Sequence, residues 1–281
     1  MISGIESQPS PLRRRYGIGS LRLSSAAEEV LEHPTLAGLL AHRSVRRFLP
    51  QSLAAGVLEA LVAAAQSAPS SSNLQAWSVV AVEDPERKAA AARLAGDQES
   101  IRQAPVLLLF IADHARLEDA GRTHHGTGEG LDYLELFVIA MLDAALAAQN
   151  LVVAAEALGL GTCYIGAARN HPLELADLIG LPPRAVVAFG LVVGHPAAEP
   201  GRTVRPRLPQ HEVLHRERYT STQRPEAIAA FDAVHAAFLR GQNLPPRPWS
   251  QQVAERVGTV AALRGRHRLL DQLRQRGFPL R

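Results

Sequence analysis

Residues 131–158 read LDYLELFVIAMLDAALAAQNLVVAAEAL and are apolar on almost every side of a helical wheel. A helix of that kind has to be covered on all sides, so the segment predicts a long helix at the middle of a core or in a subunit interface. The chain has 281 residues, 47% of them hydrophobic, enough for one large core or two small ones. Around the helix, WSVVAVED, APVLLLFIAD, GTCYIG and AVVAFGLVVGHP predict strands. HPTLAGLLAHRS, Leu53–Ala65, PERKAAAARLA and HPLELADLIG predict helices, as do 225–240, 250–263 and 266–276, whereas 114–130, HARLEDAGRTHHGTGEG, reads as a loop. The spacings do not repeat as β-α-β units. They predict an α+β domain over 34–281 with a central sheet, a buried central helix and a helical C-terminal extension over 225–281. Residues 1–33, with SQPSPLRRR, GIGS and the helical hint SSAAEEVLEH, read as a flexible arm.

The formal net charge is +3, and Lys88 is the only lysine. So modest a charge, with no basic run interleaved with aromatics, gives no sign of nucleic-acid binding. VLLLFIA from Val106 is too short to span a bilayer. RRR at 13–15 is followed by YGIGS and not by an apolar stretch. With a single cysteine, Cys163, expected to be a small buried side chain, no internal disulfide is available, and a cytoplasmic, membrane-free protein is expected.

HEVLH at 211–215 matches a zinc-hydrolase pattern, with Glu226 as a conceivable third ligand. It follows the proline-rich RPRLPQ, which leaves little helix to align both histidines, so no metal is expected. GLGTCYIG from Gly159 has dinucleotide-loop glycines but ends a helix and opens a strand, the reverse of the Rossmann order, and Tyr164 holds the third glycine position. Gly159 and Gly161 read instead as a helix C-cap. HRSVRRF at 42–48 crowds a histidine, three arginines and a serine together, and RPRLP at 205–209 sets Arg205 and Arg207 between prolines. Two arginine clusters, the small polar loop SSSN at 70–73 and no evident catalytic acid point to a phosphorylated cofactor that carries its own chemistry.

HRSVRRF, APSSSNLQAW, GLGTCYIGAARN and RPRLP, in that order, resemble the nitroreductase-like FMN enzymes. The likeness is nearest to their NADPH-dependent group, which includes oxygen-insensitive major nitroreductases and the NADPH:FMN oxidoreductases of luminous bacteria. It runs from about Pro34 to Arg281. It implies an α+β sandwich forming an intertwined homodimer with FMN at the subunit interface. By motif match, His42, Arg43 and Ser44 would hold the FMN phosphate and ribityl chain, with Arg205 and Arg207 on the phosphate. Arg46 would reach the N1/O2 edge of the ring, and Gln98, in GDQES, its pyrimidine part. Ser70, Ser71 and Ser72 would approach from the partner subunit, and Ile165, Gly166 and Ala167 would lie over the ring near N5. Arg240, in FLRGQN, and Arg266, in RGRHRLL, would bind the NADPH 2′-phosphate, with Arg264 or Arg268 as alternatives to Arg266. The implied activity is ping-pong hydride transfer from NADPH through flavin N5 to nitro compounds, quinones, free flavin or other flat acceptors. A flavin-binding sensor or storage protein is the alternative. Ala167 stands where the family often has a second glycine, Asn73 where a bulkier residue is common and Arg205 where lysine is frequent, and the 115–130 loop differs.

Overall fold

The structure is a computed structural model that describes residues 15–16, 30–199 and 202–281. Most of the arm expected over 1–33 therefore lies outside the described residues. The chain forms two compact units, one running to Arg43 and resuming over Glu199–Ala262, the other comprising Ser44–Ala198 and Leu263–Arg281. Residues 225–262 belong to the first unit and 263–281 to the second.

The larger unit is built on β1 (Trp77–Val82), β2 (Val106–Asp113), β3 (Gly161–Ile165) and β4 (Ala185–Gly194), all antiparallel in the order β1-β2-β4-β3. Every residue of β4 and all of β2 except Asp113 are buried. Their unbroken apolar runs follow from central strands covered on both faces. Ten helices occur among the described residues. α1 (Pro34–Ala41), α8 (Arg224–Gly241) and α9 (Trp249–Val257) belong to the smaller unit. The larger holds α2 (Val57–Gln66), α3 (Pro85–Leu94), α4 (Glu99–Gln103), α5 (His114–Arg122), α6 (Leu134–Ala157), α7 (Pro172–Leu178) and α10 (Leu269–Gln275). The stretch read as a loop from His114 is therefore helical in its first half. Its start is capped by the Asp113 carboxylate, which accepts from the Arg116 N–H at 3.1 Å.

α6 packs on the sheet through Ala140, Ala144, Ala147, Ala148, Leu151 and Ala155, all fully buried. Alanine on that face lets the helix axis approach the strands closely. The opposite stripe finds little cover among the described residues: Leu134, Val138, Leu142 and Leu146 are 52%, 41%, 57% and 44% exposed. Of the two settings expected for this helix, the middle of a core accounts for its alanine face; among the described residues the stripe opposite is left exposed. By length and composition α6 could cross a bilayer; its alanine face makes it a core helix instead.

The 44–49 segment is laid along the sheet. The Val45 N–H donates to Thr162 O at 2.8 Å and the Leu49 N–H to His195 O at 2.9 Å. Gly161 makes this possible, because a Cβ there would meet Val45 Cγ2 at 2.7 Å. Of the two glycines read as a helix cap, only Gly159, at φ +74°, has the left-handed backbone of one; Gly161 serves close approach.

Gly161→Ala should destabilise the fold by about 1–3 kcal/mol through overpacking. Urea unfolding of Gly161→Ala, Val45→Ala and the double variant checks this. The double variant should be more stable than the sum of the single losses predicts.

Candidate active site

The small polar loop is held by one carboxylate. Asp143, 2% exposed, is the only charged residue of α6 between Glu135 and Glu156. Its Oδ2 accepts from Ser70 Oγ at 2.7 Å and from the Ala76 N–H at 3.0 Å, and its Oδ1 from the Ser71 N–H at 3.2 Å. Ser70 Oγ in turn accepts from the Gln75 N–H at 2.7 Å. Between these anchors Ser72, Asn73 and Gln75 adopt φ of 49°, 54° and 50°. Left-handed backbone at non-glycine residues costs roughly 1–2 kcal/mol each, least for asparagine. The carboxylate network offsets that cost and presents Ser71, Ser72 and Asn73 to solvent. Asp143 was not among the residues singled out from sequence. A lone carboxylate in an apolar helix was the available signal, since such a charge must be paired.

A second group of residues gathers along β3 and the turn that follows it. Ser44 bridges Thr162 in parallel. Arg46 lies near enough to Cys163 to favour its thiolate, but burial outweighs it and pushes that thiol's pKa up, so Cys163 is the inert, buried side chain expected. Ile165 is buried, while Gly166 and Ala167 are half-exposed. A Cβ added to Gly166 would meet nothing closer than Arg169 Nη2 at 3.8 Å, so the backbone there is open to a flat group. Gly96, two residues before Gln98, turns against Ala167 and Asn170, at 3.6 and 3.7 Å from an added Cβ. The Gln98 amide Nε2 donates to Ala95 O at 2.8 Å. Gly265 approaches the Asn170 carbonyl in the same way, at 3.8 Å, which brings the 3₁₀ turn holding Arg266 to the same place.

Ser44, Arg46, Gln98, Ile165, Gly166, Ala167 and Arg266 thus share one unit with the serine loop. They do not share its layer. Ile165 and Ala167 pack with α3 and α7, whereas the serine loop hangs from α6.

The smaller unit gathers the rest. Arg15 is 6% exposed and donates to Leu40 O (2.8 Å from Nη2), His42 O (2.9 Å) and Arg205 O (3.5 Å), while the Arg207 N–H donates to Arg15 O at 2.8 Å. His42, Arg43, Arg205 and Arg207 are thereby brought together across more than half the chain. Arg43 pairs with Glu199 at 3.5 Å, and Arg202 contacts the same carboxylate at 3.8 Å. Arg205 lies over the Phe238 ring at 5.7 Å. Arg240 is exposed in the last turn of α8. HEVLH holds only a 3₁₀ turn, Gln210–Glu212. Glu212 accepts from Arg224 Nε at 3.4 Å, and the His215 ring lies 4.4 Å from that of Tyr219, tilted by 47°. No group of three metal-ligating side chains occurs among the described residues.

These residues suit the FMN that the sequence resemblance implies. Arg43, Arg205 and Arg207 offer planar, forked donors, the geometry that grips a phosphate monoester. On the ring side, Asn170 Oδ1, in the turn that follows Ala167, is buried without a hydrogen-bond partner among the described residues, an acceptor left over there.

Two family models match the chain: Nitroreductase family over 39–195 and Nitroreductase family, C-terminal domain over 205–281. The chain is 35% identical over 251 residues to the FMN reductase (NADPH) of Bacillus subtilis, covering 87% of this chain and 98% of that protein. It is 34% identical over 252 residues to the NADPH-flavin oxidoreductase of Vibrio harveyi, covering 88% and 99%. Its fold is similar to that of the oxidoreductase YcnD from Bacillus subtilis, with a TM-score of 0.83 and 36% identity over 88% of this chain and 98% of that one.

Asp143→Ala removes three acceptor contacts and leaves the buried Ala76 N–H unpaired, so a loss of about 2–4 kcal/mol is expected from the cost of charged hydrogen bonds. Asp143→Asn should lose nearly as much, because one of its positions turns from acceptor to donor. Urea midpoints for both variants equal to wild type would remove Asp143 from this role.

Proposed function

The chain belongs to the nitroreductase family, and on that premise we propose that it is an FMN-dependent oxidoreductase that oxidises NADPH and reduces nitro compounds, quinones or free flavin. One observation carries the reading at the level of residues. Arg43, Arg205 and Arg207, from segments more than 150 residues apart, are held in one compact unit, joined through the backbone and side chain of Arg15. A phosphate monoester bears about −1.5 to −2 charges at neutral pH, which two or three guanidiniums neutralise.

FMN, when bound, supplies a hydride acceptor and donor at N5, so the chain itself needs no acid, base or nucleophile. His42, Arg43, Ser44, Arg205 and Arg207 hold the phosphate and ribityl end. Arg46, exposed on the 44–49 segment, places a fixed cation at the N1/O2 edge, where reduction leaves negative charge. Gln98 orients the pyrimidine part, and Asn170 Oδ1 offers the same part a buried acceptor. Ile165, Gly166 and Ala167 give the ring a flat backbone bed. The Ala167 methyl packs toward the core, so it narrows this bed less than a side chain aimed at the ring.

The protein is proposed to act as a homodimer. The uncovered stripe Leu134, Val138, Leu142 and Leu146 is the surface a second copy would bury. Ser70–Ser72, in a different layer from Ile165–Ala167, would reach the partner's flavin. The protein is proposed to work in the cytoplasm, where its single thiol, Cys163, stays reduced.

Arg240 and Arg266 are proposed to read the NADPH 2′-phosphate. Arg240→Ala should raise KM for NADPH about ten- to a hundred-fold, the size of one charge-assisted contact, and leave kcat and the NADH reaction unchanged. Steady-state assays with both nucleotides check it. Equal losses for NADPH and NADH would take Arg240 out of 2′-phosphate recognition.

A further inference from the structure

Arg15 precedes both stretches matched by the family models, which begin at residue 39, and it is among the most buried arginines of the described chain at 6% exposure. Its donors go to main-chain carbonyls of two segments. Nε and Nη2 both reach Leu40 O, at 3.1 and 2.8 Å, Nη2 also reaches His42 O at 2.9 Å, and Nη1 reaches Arg205 O at 3.5 Å. Its own carbonyl accepts the Arg207 N–H at 2.8 Å. Leu40 lies in the last turn of α1, where carbonyls have no partner within the helix and carry the negative end of its dipole. A cation there caps the helix and sets the direction in which His42 and Arg43 leave it.

We propose that Arg15 is a positioning residue for the phosphate end of the FMN site. It clips the His42–Arg43 segment to the Arg205–Arg207 segment so that their side chains converge on one phosphate. The proposal rests on the FMN reading above. Arg15 has no contact role in it, because the named donors are spent on carbonyls and the residue is buried. Its function is to hold two cationic segments side by side that would otherwise repel each other. Only arginine has the span for this. Lysine concentrates its donors on one atom and cannot reach Leu40 O and Arg205 O from opposite ends of a planar fork.

Titration of the full-length chain with FMN and with riboflavin, which lacks the phosphate, tests the clip in wild type, Arg15→Ala, Arg15→Lys and Arg207→Ala. Quenching of flavin fluorescence reports binding. Arg15→Ala should weaken FMN about ten-fold or more, the effect of misplacing charge-assisted phosphate contacts, and leave riboflavin affinity as it is. Arg15→Lys should show the same selective loss in smaller measure, and it carries the comparison if Arg15→Ala does not fold. Wild-type FMN affinity in both variants, or a parallel loss of FMN and riboflavin, overturns the proposal. If Arg207→Ala loses FMN selectively while the Arg15 variants do not, the clip alone is wrong. If Arg207→Ala also keeps full FMN affinity, the phosphate assignment itself is wrong.

Discussion

The close contact of α6 with the sheet is the constraint on which the rest of the larger unit depends. Alanines at 140, 144, 147, 148 and 155 bring the helix near the strands, and that proximity leaves Asp143 in a water-free layer. A carboxylate there must be satisfied completely, because an unpaired buried charge is among the most costly groups a core can contain. The 70–76 loop satisfies it. Two of its backbone N–H groups and the Ser70 hydroxyl converge on Asp143, and the loop is thereby held in a conformation its residues would not choose alone. The packing of the core and the shape of the serine loop are one interaction seen from two sides. The same helix leaves an apolar stripe uncovered, so the element that orders the loop is also the one offered to a second copy.

Charge is arranged with similar economy. The chain uses arginine almost throughout, and the described smaller unit draws four of these residues into one neighbourhood: Arg15, Arg43, Arg205 and Arg207. A dianion bound to such a cluster would stabilise that unit by mass action, so ligand binding and the stability of the unit are linked. The ring-side residues are arranged differently. Gly166 is open and Arg46 is exposed, features of a surface suited to a flat, polar-edged group, and beside them Asn170 Oδ1 is a buried acceptor without a partner among the described residues.

Much of this was legible in the sequence, for identifiable reasons. Pro34, Pro85 and Pro172 mark helix starts, and the apolar runs of β2 and β4 announce central strands. Four ordered motifs led to the family and to FMN and NADPH. What could not be read depended on distant partners. Asp143 is 67 residues from Ala76, so nothing local told a structural carboxylate from a stray one. Arg15 lay in a stretch whose prolines, glycines and serines suggested a detached arm, yet its guanidinium is fixed by carbonyls up to 190 residues away. α5 was taken as loop because its charged, glycine-containing sequence outweighed the Asp113 cap. Gly161 was assigned to a helix end when its role is to admit Val45, a contact visible only once the 44–49 segment is placed on the sheet.

The central claim is that this chain carries FMN as a hydride relay between NADPH and an acceptor. Anaerobic addition of NADPH to the purified full-length protein, with no acceptor present, tests it most directly. The account predicts that the protein is yellow, that its visible flavin absorption bleaches in proportion to the NADPH added, and that a quinone added afterwards restores it. A colourless protein that does not take up FMN, or a bound flavin that NADPH leaves oxidised, would contradict the account.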